Sequence, residues 1–185
     1  MDMRVRVTRS LIENSFMELL KKLPFRKITV TKICENAQIN RVTFYKHYLD
    51  TVDLYEKTVA ELMDRSAADM EKVYKRYDLK AAIRSVFQNI YDNADKFTLL
   101  FSENVDSFYR IKNIRSGMNR LSEVHLDIPD GNEQQQALLK TFLSAGGSGV
   151  LFSWIRDGMK QSPTEVADAL YDFIRRIMAT YSVRV

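Results

Sequence analysis

The chain is poor in the residues that build turn-rich or disulfide-stapled folds. Its 185 residues include only 6 glycines and 3 prolines, too few for an all-β protein that reverses direction at tight turns. A single cysteine, Cys34, excludes an intramolecular disulfide and fits a reducing, cytoplasmic setting. The two histidines, His47 and His125, have no second ligand at metal spacing, and no paired-carboxylate motif accompanies them. A small helical enzyme is therefore a distant alternative, and neither metal nor cofactor is expected. The N-terminus has no long apolar run, so no signal peptide is read there. No stretch reaches the roughly 18 to 20 apolar residues of a bilayer span, so no membrane partner is expected either. Repeats and low-complexity segments are missing as well.

What the chain does have is uneven charge. The net charge is +4, and residues 1–50 hold ten of the 28 Lys/Arg against five of the 24 Asp/Glu. A basic first quarter on a near-neutral remainder suggests that one end meets a polyanion.

Periodicity reads helix almost throughout, and the fold class is all-α with about nine helices. Ile12, Phe16, Leu19, Leu20 and Leu23 fall at helical spacing after Thr8, read as an N-cap, and Pro24 stops that helix. Thr29 caps a second helix with Val30, Ile33, Cys34 and Ala37 on one face. Asn40 caps a short third that ends near Tyr48. Asp50 and Asp53 resemble a capping box for a longer fourth. An apolar stripe follows Asp78, then a short segment around Phe97 to Phe101 and a helix through Phe108, Ile111, Met118 and Leu121. The stretch from Asp127 to Asn132 is the clearest loop, and one helix is expected from Glu133 to near Asp157. Ser162-Pro163-Thr164-Glu165 opens the last helix with a capping box and a proline at the first helical position.

The segment from Ile28 to Tyr48 has the spacing of a helix-turn-helix. Ile39 and Phe44 flank the Asn40 cap as a hydrophobic staple. Phe44 and Tyr48 then face inward, while Arg41, Val42, Tyr45 and Lys46 share the opposite face. That face suits double-stranded DNA. Arg41 can read guanine, and Val42 or the Thr43 methyl can touch a thymine methyl. Tyr45, Lys46 and His47 are placed for phosphates, with Thr29, Thr31 and the following amide groups adding phosphate contacts.

Residues from about Thr8 to Val59 resemble the DNA-binding domain of the tetracycline-repressor (TetR) family. The run Ile39-Asn40-Arg41-Val42-Thr43-Phe44-Tyr45-Lys46-His47-Tyr48 is similar to its recognition-helix signature. The chain departs from that pattern at Gln38, where glycine is usual, at Val42, where a small residue is common, and at Thr51, where many members carry lysine. The resemblance implies an all-helical homodimer that binds operator DNA. The implied division is residues 1–50 as the DNA-binding domain, the fourth helix connecting from about 50, and 51–185 as the regulatory and dimerisation domain. Ala145 to Met159 followed by Ser162-Pro163-Thr164-Glu165 resembles the last two helices of a TetR subgroup that includes dihydroxyacetone-kinase operon activators. Two controls follow: a repressor released by a small-molecule effector, or an activator governed by a protein partner.

For the effector, Phe87, Tyr91, Phe101, Phe108 and Met118 are candidate lining residues of an apolar pocket. For the dimer, the last two helices carry more apolar surface than one protomer needs. Gly146, Gly149 and Ser153 let backbones approach, and Phe152, Trp154, Leu170, Phe173, Ile174 and Ile177 supply area. The Gly146-Gly147-Ser148-Gly149 run is read as a close-packing patch, because no strand precedes it and no P-loop lysine follows. Cys34 reads as a core residue, and His125 as a cation near a helix end.

Overall fold

Helices form where apolar residues recur at helical spacing, and five of them begin where a short polar side chain accepts an amide hydrogen bond. The computed structural model describes residues 3–74, 78–112 and 133–182. Among these residues there is no strand. The helices are α1 (Met3–Leu20), α2 (Val30–Ala37), α3 (Arg41–Tyr45), α4 (Thr51–Tyr74), α5 (Leu79–Asp92), α6 (Ala94–Leu100), α7 (described over 107–112), α8 (Glu133–Arg156) and α9 (Pro163–Ser182). A 3-10 turn, Phe25–Lys27, joins α1 to α2. The expected Met118, Leu121, His125 and 127–132 loop lie outside the described residues.

The caps fall where the sequence put them, with one exception. Thr29 accepts from the Lys32 amide (3.3 Å) and Asn40 from Thr43 (2.7 Å); Asp78, marked in the sequence only as the residue before an apolar stripe, also caps its helix by accepting from Ala81 (2.9 Å). Ser162 and Glu165 complete a reciprocal box, each side chain accepting the other's backbone amide (2.9 and 3.2 Å). Asp50 takes the Asp53 amide (2.8 Å), while Asp53 reaches back to Leu49 rather than to Asp50 (2.8 Å). The exception is Thr8. α1 starts by Met3, and the Thr8 hydroxyl donates to the Arg4 carbonyl one turn back (2.9 Å). A threonine that satisfies itself this way sits inside a helix without ending it. Nor does Pro24 end α1, which closes at Leu20 through the Leu23 amide on Leu19 (2.9 Å).

One apolar cluster runs unbroken from α1 to α9. Ile12, Phe16 and Leu20 of α1 meet Ile33 of α2, Phe44 of α3 and Leu54 and Tyr55 of α4, all fully buried. The buried Ser15 hydroxyl donates to the Ile33 carbonyl (2.9 Å) and locks α1 to α2. Phe25 packs between Phe16, Tyr55 and Tyr109 with ring centroids 5.3–6.1 Å apart. Its amide donates to the Asn104 carbonyl (2.7 Å), and the Asn104 side chain donates to the Leu20 carbonyl (3.1 Å). Tyr55 donates to the Leu100 carbonyl (3.0 Å). The loop after α6 is thus stitched to the end of α1, the 3-10 turn and α4.

α8 differs from the expectation for long apolar stretches. It is 24 residues with a window of mean hydropathy 1.2, long and apolar enough by composition to cross a bilayer. Its glycines, alanines and serines lower polarity without forming an obvious apolar run. Its buried face, with Leu151, Trp154 and Ile155, joins the common core.

α9 lies along α5 and is clamped to it by charge. Arg84 donates Nε to Asp168 Oδ1 (2.6 Å) and Nη2 to Oδ2 (2.5 Å), and Lys80 Nζ adds a 3.3 Å contact. The Arg84 guanidinium, seconded by Lys80, holds the Asp168 carboxyl below its ordinary range. A carboxyl depressed in the folded state stabilises the fold above its unfolded value, and that contribution vanishes as pH falls through the folded value. Asp168→Asn should therefore melt below the unmodified protein near neutral pH, with the gap closing below about pH 4. A gap that stays constant from neutral to acid pH in thermal melts would contradict the clamp.

Candidate nucleic-acid interface

The expected reading helix is short, and its neighbours hold it. Between α2 and α3 the chain reverses at Gln38, which adopts the left-handed conformation (φ 55°, ψ 43°). A residue other than glycine or asparagine pays a steric cost there, on the order of 1 kcal/mol. The Gln38 amide donates to Glu35 (3.3 Å) and the Ile39 amide to Cys34 (3.0 Å), closing α2. Ile39 is half-buried against the core beside fully buried Phe44, the pair expected to staple the entry of α3.

α3 itself has five residues and one buried side chain, Phe44. The chain turns at Lys46 and His47, and the Tyr48 amide donates to the Phe44 carbonyl (3.0 Å). Tyr48 is buried and packs on Phe44 with centroids 5.7 Å apart. On the other side, Arg41 and Lys46 are exposed, as are Val42 (67%) and Tyr45 (55%). The Thr43 hydroxyl donates to the Asn40 cap (2.9 Å). Arg41 donates through Nη2 to the Thr31 hydroxyl of α2, so two of the expected DNA-contacting residues meet across the turn. Thr29 is exposed at the start of α2, and Lys32 donates to the Lys27 carbonyl beside it (3.0 Å). His47 is half-buried, and its carbonyl accepts from Lys57 Nζ (3.3 Å).

A polar brace holds the end of this unit, and motif reading missed it. Tyr48 donates its hydroxyl to Glu13 Oε1 (2.8 Å) and accepts from Arg9 Nε (3.3 Å). Arg9 also pairs with Glu61, and Lys57 lies over the Tyr48 ring at 5.5 Å while pairing with Asp53 (2.9 Å). Burial pushes the Tyr48 hydroxyl up to about 12, so it remains a donor at neutral pH. Burial opposes ionisation of Asp53 too, but the Lys57 ammonium and the Leu49 amide outweigh it and hold the carboxyl below its usual value. The available sequence signals were two i,i+4 pairs, Arg9 with Glu13 and Asp53 with Lys57. Burial also raises the Cys34 thiol, in keeping with a core cysteine.

The expected pocket residues occupy different surroundings. Phe87 is buried against Trp154 (5.2 Å), and Phe101 is buried and stacked on Phe97 (6.1 Å). Tyr91 is exposed at one edge but stacks on Trp154, and Phe108 is exposed beside Tyr109. Met118 lies outside the described residues. The expected interface residues divide as well. Gly146, Gly149 and Phe173 are exposed, and Phe152, Ser153, Ile174 and Ile177 are half-buried. Trp154 and Leu170 belong to the protomer's own core, where Trp154 Nε1 donates to the Gln161 carbonyl (3.0 Å).

Comparison with known proteins places this architecture. Residues 77–176 match the TetR-type family described as the transcriptional regulator C-terminal region. No curated protein matches the chain by sequence. Among solved structures, a TetR transcriptional regulator from Streptococcus agalactiae 2603V is similar at TM-score 0.65 and 22% identity. That likeness covers 92% of this chain and 95% of the other. The dihydroxyacetone kinase operon activator DhaS is similar at TM-score 0.61 and 15% identity, over 95% and 98% of the two chains. The TetR family repressor AlkX from Dietzia sp. strain DQ12-45-1b follows at TM-score 0.51 and 16% identity, over 94% and 97%. At these identities the structures share a fold, while the family match spans more than half the chain. The chain belongs to the TetR family of transcriptional regulators.

Proposed function

We propose that this regulator is an operator-binding homodimer, most simply a repressor released when an effector occupies the domain formed by residues 51–185. The observation that carries the DNA reading is the two-sided character of α3. Phe44 and Tyr48 are buried on one side, and Arg41, Val42, Tyr45 and Lys46 stand exposed on the other. In this reading Arg41 and Val42 contact bases, with the Thr43 methyl. Tyr45, Lys46, His47, Thr29 and Thr31 hold phosphates. An effector that prefers a conformation with misplaced reading heads lowers operator affinity by its difference in affinity for the two states. The shared fold includes an activator and a repressor by name, so it leaves the sign of control to a reporter assay.

Dimerisation is supported by the outer face of α8 and α9. A Cβ built on Gly146 or Gly149 meets nothing within 4 Å in its own protomer, so these glycines leave room for a second helix. Leu138 (63%), Phe142 (62%) and Phe173 (56%) are exposed on the same two helices. Pairing two such faces makes a four-helix bundle with two-fold symmetry. Trp154 and Leu170 then support the interface from behind.

Two substitutions in α3 separate base reading from phosphate holding. Arg41→Ala should cost about 1–3 kcal/mol and relax preference at one operator position. Lys46→Ala should weaken every sequence alike and flatten the salt dependence. Titrations on the operator and its single-base variants, at two salt concentrations, decide the matter; identical effects of both changes would refute the assignment. For the dimer, Phe173→Glu places a charge on the outer face without entering the core. It should give folded monomers with weak operator binding, read by sedimentation and circular dichroism. Unmodified protein that sediments as a monomer at micromolar concentration would refute the dimer.

A further inference from the structure

An effector-controlled regulator needs a point at which the effector's polar group is recognised, and Arg110 of α7 has the right unmet chemistry. Its guanidinium lies over the Phe152 ring of α8 at 5.4 Å. Nη1 donates a long 3.4 Å hydrogen bond to the Phe101 carbonyl. Nε is buried and has no acceptor among the described residues. No carboxylate of those residues pairs with Arg110. One residue beyond Phe101, the Ser102 hydroxyl is also buried with no partner. Two unpartnered donors, one on a cation, thus flank a single stretch of backbone. Native structures satisfy nearly all such groups, and the exceptions call for an explanation.

The same fold contains the satisfied version of this geometry. Arg84 turns the edge formed by Nε and Nη2 toward Asp168 and grips both carboxylate oxygens, at 2.6 and 2.5 Å. In Arg110 the Phe101 carbonyl occupies Nη1, which leaves that same Nε/Nη2 edge for a two-oxygen acceptor. We propose that Arg110 and Ser102 recognise the carboxylate of an amphipathic organic acid, and that this acid is the effector. A carboxylate brings one charge to one guanidinium and matches its planar fork. A phosphate would bring a second charge, and Arg156, which also lies over the Phe152 ring at 6.0 Å, is already paired with Asp157 at 3.1 Å. The Phe152 ring beneath the guanidinium suits the apolar part of such an acid.

The position also gives the acid a route to the reading head. Tyr109, next to Arg110, packs on Phe25 and Tyr55 at 5.5 and 6.3 Å. Asn104, two residues beyond Ser102, holds the Leu20 carbonyl and the Phe25 amide. An anion drawing Arg110 and Ser102 together therefore acts on the segment that ties α6 and α7 to α1 and the 3-10 turn.

The proposal rests on the effector reading, and its test separates the two. Octanoate and benzoate serve as probes, with octanol and benzyl alcohol as uncharged matches and inorganic phosphate as the other anion. Binding to the full chain is followed by thermal shift and calorimetry, and operator affinity is measured in parallel. The acids should raise Tm, and the alcohols and phosphate should not. Arg110→Gln should weaken acid binding by about ten- to hundredfold, and Ser102→Ala by a smaller factor. Ligand-free Arg110→Met should melt at or above the unmodified protein, because an apolar chain replaces a cation with no carboxylate partner among the described residues. Acids that fail to shift Tm, or bind Arg110→Gln equally well, would overturn the proposal, as would equal binding of phosphate. A fall in Tm for ligand-free Arg110→Met would assign Arg110 a structural role instead. If the acids bind through Arg110 yet leave operator affinity unchanged, the recognition point stands and the effector reading fails.

Discussion

A helix of five residues cannot hold itself in water, because nucleation costs more than its few hydrogen bonds return. α3 is that short, and the proposed function depends on its orientation. Three devices supply what its length cannot. The Asn40 cap and the Gln38 reversal fix how the chain enters it. Phe44 anchors it from below, and burying such a side chain contributes roughly 1.5–3 kcal/mol. Tyr48 closes it from beyond its end, as a buried ring whose hydroxyl is shared by Glu13 and Arg9. The partners in that brace come from α1 and α4, so the reading face is positioned by helices that carry none of the proposed base contacts.

The same dependence extends into the rest of the molecule. Within the common core, α1 and α4 are also tied to the segment after α6 through groups of different kinds. Asn104 supplies two hydrogen bonds to backbone, Tyr55 a third, and the Phe16, Phe25, Tyr55 and Tyr109 rings pack edge to face. Aromatic contacts of this type add about 0.5–1.5 kcal/mol each beyond the area they bury. Whatever alters the segment from Phe101 to Arg110 is one hydrogen bond away from the helix that orients α3.

Much of this was legible in the residues. Caps and stripes disclosed the helices, because Thr29, Asn40 and Ser162 each directly precede an apolar period, where a short polar side chain can accept an amide hydrogen bond. The exposed side of α3 was legible for the same reason: once Phe44 and Tyr48 face inward, Arg41, Val42, Tyr45 and Lys46 have one side left. Thr8 misled because a threonine can cap a helix or bond to its own preceding turn, and local sequence does not distinguish the two. Contacts between residues far apart in the chain were not legible. Asn104 on Leu20, Arg84 on Asp168 and Tyr48 on Glu13 bring together groups whose spacing carries no period. Trp154 was expected at the dimer face because it is large and apolar, yet it fills the protomer's own core against Phe87. Size alone does not say which of two apolar surfaces a residue belongs to.

The central claim is that two copies of this α3 read DNA together, and the symmetry of the preferred sequence tests it most directly. Selection of bound duplexes from a random pool should yield a motif with two inverted half-sites whose centres lie about one helical turn, 34 Å, or more apart. The same selection with Arg41→Ala should lose information at symmetry-related positions in both halves. A motif without inverted symmetry, or a selection that enriches no sequence, would contradict the account.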